Sequence, residues 1–96
     1  MRVAYQNVGG GVAATHKFLE FCREERVGVA FVGECRIARQ GGSTQTHPTY
    51  AIVGKVSRDS RVVAHIRRDV VGACRLVVSN TQFVCLQVGD YKFGGV

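Results

Sequence analysis

Two polar residues stand where a buried sheet would end. Glu34 closely follows the apolar run Val29-Ala30-Phe31-Val32, and Asn7 closes the short β-prone segment from Arg2 to Gln6. An acid at the end of a strand covered on both faces needs compensation from a cation, a metal or hydrogen bonds. A carboxylate and an amide oxygen are hard donors of the kind that suit Mg²⁺. If the two strands run parallel, both end at one edge of the sheet, the edge where open α/β sheets bind ligands. Asn7 and Glu34 are then neighbours. The structural alternative gives each residue a local role, in which Asn7 caps a turn and Glu34 pairs with a nearby arginine such as Arg36.

Other residues with chemical potential are scattered more widely. His47 precedes Pro48 in a polar segment, where a loop role competes with acid–base chemistry. His65 lies between Ala64 and Ile66 and is expected on a sheet surface rather than at a ligand. Arg67-Arg68 at a strand end reads as a solvated charge pair or as a phosphate contact. Gly9-Gly10-Gly11 precedes a helix, but neither a GK[ST] sequence nor a complete GxGxxG follows, so a turn is expected. Cys35, between Glu34 and Arg36, is the one thiol whose pKa a neighbouring arginine could lower.

The elements that position these residues follow from periodicity. Arg2–Gln6 is a strand running into the glycine loop. From Val12 to Arg26 an apolar stripe of Ala14, Phe18, Leu19 and Cys22 opposes His16, Lys17, Glu20, Arg23 and Glu24, which predicts a helix of about four turns. Gly28 marks its end, and Val29–Val32 reads as a strand buried on both faces. Strand, helix and buried strand within some thirty residues make a βαβ unit with a right-handed crossover. Residues 35–49 read as a loop. Tyr50–Val56, Arg61–Arg67, Cys74–Ser79 and Phe83–Val88 then alternate with turn-forming clusters, an antiparallel meander. Tyr91–Val96 begins as one more strand.

Ninety-six residues make one domain, spanning residues 1–96. Hydrophobic residues form 46% of the chain and charged ones 21%, which excludes a disordered chain. Thirteen basic residues against seven acidic ones give a net charge of +6, a balance that fits a solvated basic surface or a polyanion partner, DNA or RNA. Ten of the basic residues are arginine, whose planar fork matches phosphate and stacks on bases. The four cysteines, Cys22, Cys35, Cys74 and Cys85, form no CxxC pair and no zinc spacing. With no signal-like segment before Arg2, they are expected to be reduced, in the nucleus or cytoplasm. No apolar run approaches membrane-spanning length, so no membrane partner is expected.

Gln6-Asn7, the Ala13-Ala14-Thr15 helix, Val29-Ala30-Phe31-Val32-Gly33-Glu34, Thr46-His47-Pro48-Thr49-Tyr50 and Arg61–Arg67 follow one another in a distinctive order. In that order the chain resembles the N-terminal half of the endonuclease/exonuclease/phosphatase superfamily, and within it the apurinic-type endonuclease domains of non-LTR retrotransposons. The resemblance implies a fold that is half of a two-sheet α/β sandwich. It implies that Asn7 belongs to the catalytic amide and metal network and that Glu34 is the Mg²⁺ ligand. Thr46 and His47 would border the nucleic-acid groove, and Arg61 would start a strand beneath it. With Arg36, Arg39, Arg67 and Arg68 they make up the candidate nucleic-acid contacts.

The chain departs from the family pattern in two places. Family members usually carry glutamine before the acid, where this chain has Gly33, and the retrotransposon group often continues with proline and tryptophan, where Cys35-Arg36 follow. The family's Asp-x-Asn motif and terminal Asp-His pair do not occur in these 96 residues. Three function classes are therefore expected to compete. The first is a nucleic-acid-binding remnant or half-domain of a Mg²⁺ endonuclease, catalytically incomplete alone. The second is an active endonuclease when another chain or further residues complete it. The third is a protein-interaction module on the same scaffold. With one helix and about one sheet, one sheet face is expected to lack cover, which points to a homodimer or a completing partner chain.

Overall fold

The protein is described by a computed structural model covering residues 2–9, 11–34, 47–54, 60–79 and 84–95. In chain order the elements are β1 (Arg2–Asn7), α1 (Val12–Glu24), β2 (Val27–Gly33), β3 (Tyr50–Val53), β4 (Val62–Arg67), β5 (Cys74–Ser79), β6 (Val84–Val88) and β7 (Tyr91–Gly95). The fold is α/β. β1 and β2 pair in parallel across the α1 crossover, in the βαβ arrangement that the change of hydrophobic period predicts.

The later strands divide between two sheets. A four-stranded mixed sheet has the order β1-β2-β4-β3, and a three-stranded antiparallel sheet has the order β5-β6-β7. Only β5-β6-β7 is a simple meander. β4 lies between β2 and β3 because Val62 through Ile66 are all buried, which requires a central position with both faces covered. β3 is short, with three of its four residues half-buried, and takes the edge. It spans Tyr50–Val53, and residues 55 and 56 of the expected strand lie outside the described residues.

Burial along α1 follows Thr15, Phe18, Leu19 and Cys22, the spacing of one helical face. Ala14, expected in that stripe, is exposed, and Thr15 takes its place. Thr15 tolerates burial because its hydroxyl donates to the Gly11 carbonyl one turn earlier, at 2.9 Å. Complete burial of Leu19 contributes about 2 kcal/mol. The helix stops at Glu24, and Arg26 takes the reversing left-handed conformation, φ +54°, before β2 begins at Val27. Gly28 is thus inside the strand rather than at the helix end.

Two cores result from the alternation of β2. Ala30 and Val32 face α1, packing with Phe18, Leu19, Cys22, Tyr50 and Val63. Val29 and Phe31 face the second sheet, packing with Val62, Ala64, Ile66, Val84, Leu86 and Val88. The chain therefore covers both faces of its central sheet, one with the helix and one with β5-β6-β7. This corrects the expectation of a bare sheet face, and with it goes the ground for a dimer built across such a face. What stays open is the sandwich's edge. Among the described residues β1 pairs with β2 and β7 with β6, each on one side only. Tyr5 is 51% exposed and Tyr91 72%. None of the described helices is long and apolar enough to cross a membrane.

Candidate functional site

The carboxyl edge of the β1–β2 pair gathers Asn7 and Glu34, singled out by type and position, and Arg61, one of the candidate nucleic-acid contacts. Asn7 stands opposite Gly33 in the parallel register, and the Val8 N–H continues the ladder to the Gly33 carbonyl at 3.0 Å. On the other side of β2, Gly33 faces Val62 of β4, and the Glu34 N–H donates to the Arg61 carbonyl at 2.6 Å. Asn7, Glu34 and Arg61 are all exposed at this edge. The register thus sets the backbone of Glu34 between those of Asn7 and Arg61 at one edge of the sheet.

Glu34 has φ +50°, the left-handed region that side chains other than glycine occupy at a cost of about 1 kcal/mol or more. The Asn7 amide oxygen accepts the Gly9 N–H at 3.0 Å, which fixes its orientation and closes the turn before α1. Gly9, with φ +59°, and the Gly11 N–H bonded to the Val8 carbonyl complete that turn. Among the described residues Gly9 and Gly11 stand in a turn, and the Gly9 N–H orients the Asn7 amide.

Tyr5 belongs to the same edge, although its residue type alone did not mark it. It lies on the same face of β1 as Asn7, two residues earlier. A Cβ built at Gly33 would sit 2.0 Å from the Tyr5 hydroxyl. The phenol therefore occupies the space over Gly33, beside Asn7 and Glu34. Tyr5 pairs with Phe31 and Gly33 with Asn7, so the contact runs diagonally across the pair and shows only once the register is known.

A second group lies at the opposite edge. His47 is buried, its Nε2 2.6 Å from Glu20 Oε1 and its Nδ1 accepting the Thr49 N–H at 3.1 Å. Because Nδ1 accepts, the hydrogen-bond pattern assigns the proton to Nε2, which donates to Glu20. That contact, with Arg23 next in strength, holds the Glu20 carboxyl below the usual carboxylate range. The His47 ring also packs between His16 and Tyr50, at centroid distances of 6.0 and 5.7 Å. Arg68 donates to the carbonyls of Pro48 and His47 at 3.0 and 3.2 Å. Arg67 pairs with Asp69 at 2.6 Å and donates to the Arg26 carbonyl at 3.2 Å. These three residues tie the 47–50 segment and the helix end to the sheet, away from Asn7 and Glu34.

Arg36, Arg39, Thr46 and Cys35 lie outside the described residues. His65 is buried at the centre of β4, opposite Ala30 on the helix-facing side. Cys22, Cys74 and Cys85 are free thiols; burial pushes Cys22 up to about 12 and Cys74 up as well. Among the described residues no group of three or more His, Cys, Asp or Glu side chains could hold a metal. At the Asn7–Glu34 edge the donor set is one carboxylate and one amide oxygen. That set fits Mg²⁺, which usually keeps several waters and takes one or two carboxylates together with ligand phosphates. Neither the models of known protein families nor the curated proteins contain a match to this chain.

Proposed function

We propose that this chain binds nucleic acid at the edge carrying Asn7, Glu34 and Arg61, as the half-domain of a retroelement-type Mg²⁺ endonuclease, and does not cleave it alone. The observation that carries this reading is the register itself. It brings an oriented amide, an exposed carboxylate held at positive φ and an arginine to one sheet edge, and positive φ at a non-glycine residue concentrates at functional sites. In this reading Glu34 holds Mg²⁺, with Asn7 beside it, and the metal would neutralise phosphate charge when bound. Arg61 contacts the backbone of the strand. The net charge of +6 supports a polyanionic partner. Nucleus or cytoplasm is the compartment in which such a chain with free thiols would work.

Turnover needs more than this edge provides. Phosphodiester hydrolysis requires a positioned base for the water and further charge stabilisation. His47, a candidate contact of the nucleic-acid groove, is committed to Glu20 and Thr49 instead. A plasmid-nicking assay with Mg²⁺ tests the last clause. No nicking above background is expected, and nicking abolished by Glu34→Ala would replace this reading with that of an active endonuclease.

A further inference from the structure

The open side of the sandwich holds a groove of about 600 Å³ between β1 and β7, lined mainly by Val3, Tyr5, Phe31, Lys92 and Phe93. Its walls are rings and aliphatic groups. Among the described residues Lys92 is the one charged group in the lining, and no carboxylate lines it. Tyr91 extends the wall outward, 6.4 Å from Phe93 at an interplanar angle of 24° and 72% exposed. Tyr5 is shared: one end of its ring borders the groove, and its hydroxyl lies over Gly33 at the Asn7–Glu34 edge. The groove and the candidate site are therefore separated by the width of one side chain.

Flat π-faces with a cation and no anion select a ligand that is flat, apolar on its faces and negatively charged nearby. An unpaired nucleobase on its phosphate chain has all three properties, and aromatic platforms beside a basic groove bind single strands in this way. We propose that the β1–β7 groove is a nucleobase site, in which a base of a single strand stacks on Tyr5 and Phe93 while a phosphate neighbouring it lies at the Asn7, Glu34 and Arg61 edge. Lys92 faces the strand's backbone. This inference rests on the nucleic-acid reading above and adds to it a preference for unpaired strands and a role for Tyr5.

The test uses the full chain and two single-stranded oligonucleotides, one with 2-aminopurine at a central position and the other with an abasic residue there. The binding of each is followed by fluorescence anisotropy of an end label, and stacking by quenching of the 2-aminopurine. With the unsubstituted protein, quenching on binding is expected, and the abasic strand should bind at least about fivefold more weakly. Tyr5→Leu, which keeps apolar bulk without the π-face, should abolish that difference and the quenching while leaving the salt dependence unchanged. Lys92→Gln should lower the salt dependence and retain the quenching, which supports the same assignment without altering the apolar lining.

Tight binding with equal affinity for both strands and no quenching overturns the nucleobase site while leaving the nucleic-acid reading intact. Absence of binding to either strand at low salt overturns both. A concentration-dependent dimer in sedimentation equilibrium that Tyr5→Leu dissociates would assign the groove to a second copy of the chain and overturn the proposal.

Discussion

The backbone N–H of Glu34 donates to the carbonyl of Arg61 across 2.6 Å, and this bond fixes the exit of β2 while φ of Glu34 stands at +50°. The same bond holds the carboxylate at the rim of the sheet. The conformation is one that glycine adopts without cost.

Glu34→Gly should therefore stabilise the fold by about 1 kcal/mol, since the positive φ is relieved and the backbone bond to Arg61 is kept. Urea denaturation measures this. A destabilised Glu34→Gly protein would mean that the carboxylate contributes to the fold, and Glu34 would lose its standing as a residue held for function.

Tyr50 offers a check on the helix-facing core. Its hydroxyl donates to the Val27 carbonyl at 2.7 Å, and it is 1% exposed. Tyr50→Phe removes that hydrogen bond and should cost about 0.5–1.5 kcal/mol. Burial pushes the Tyr50 phenol up to about 12 from 10.0. The neutral phenol is favoured in the folded state, so its contribution is present in full below the unfolded value and is lost as pH rises through the folded one. Stability should decline between about pH 10 and pH 12, and less so in Tyr50→Phe. An ultraviolet absorbance difference between the unsubstituted protein and Tyr50→Phe that places the Tyr50 ionisation near pH 10 would contradict this.

Glu20 sets the acid limb. The His47 hydrogen bond, then Arg23, lowers its pKa from the ordinary 4.5. A depressed carboxyl contributes stability that is present above the unfolded value and lost as pH falls through the folded one. Glu20→Gln should flatten the pH dependence of stability below about 4.5 and lose stability at neutral pH. Identical acid limbs for the two proteins would remove Glu20 from the account.

Much of this arrangement was legible in the chain. The unbroken apolar run of β2 forces a strand buried on both faces, and a helix between it and β1 forces the parallel pair. Those two facts alone put Asn7 and Glu34 at one edge. What local pattern did not show is what depends on contacts distant in sequence. His47 is packed against Glu20, 27 residues earlier, and nothing in Thr46-His47-Pro48 announces that. β4 keeps its neighbour β3 but takes β2 on its other side, because Val62–Ile66 need cover on both faces; the short connections of a meander suggest β5 there instead. The Arg67 and Arg68 side chains read as a solvated charge pair or as phosphate contacts, and their carbonyl and Asp69 partners are legible only in the fold. Tyr5 over Gly33 is a contact 28 residues apart, visible only when the register is known.

The most direct measurement is the affinity for a labelled oligonucleotide across a salt series, with Mg²⁺ and with a chelator, for the unsubstituted chain, Arg61→Ala and Glu34→Gln. Affinity is predicted to fall steeply with salt, the slope to drop by about 1 in Arg61→Ala, and Mg²⁺ to strengthen binding only when Glu34 is present. Absence of binding at low salt, or a Mg²⁺ response that Glu34→Gln leaves unchanged, would contradict the assignment of this edge to nucleic acid and metal.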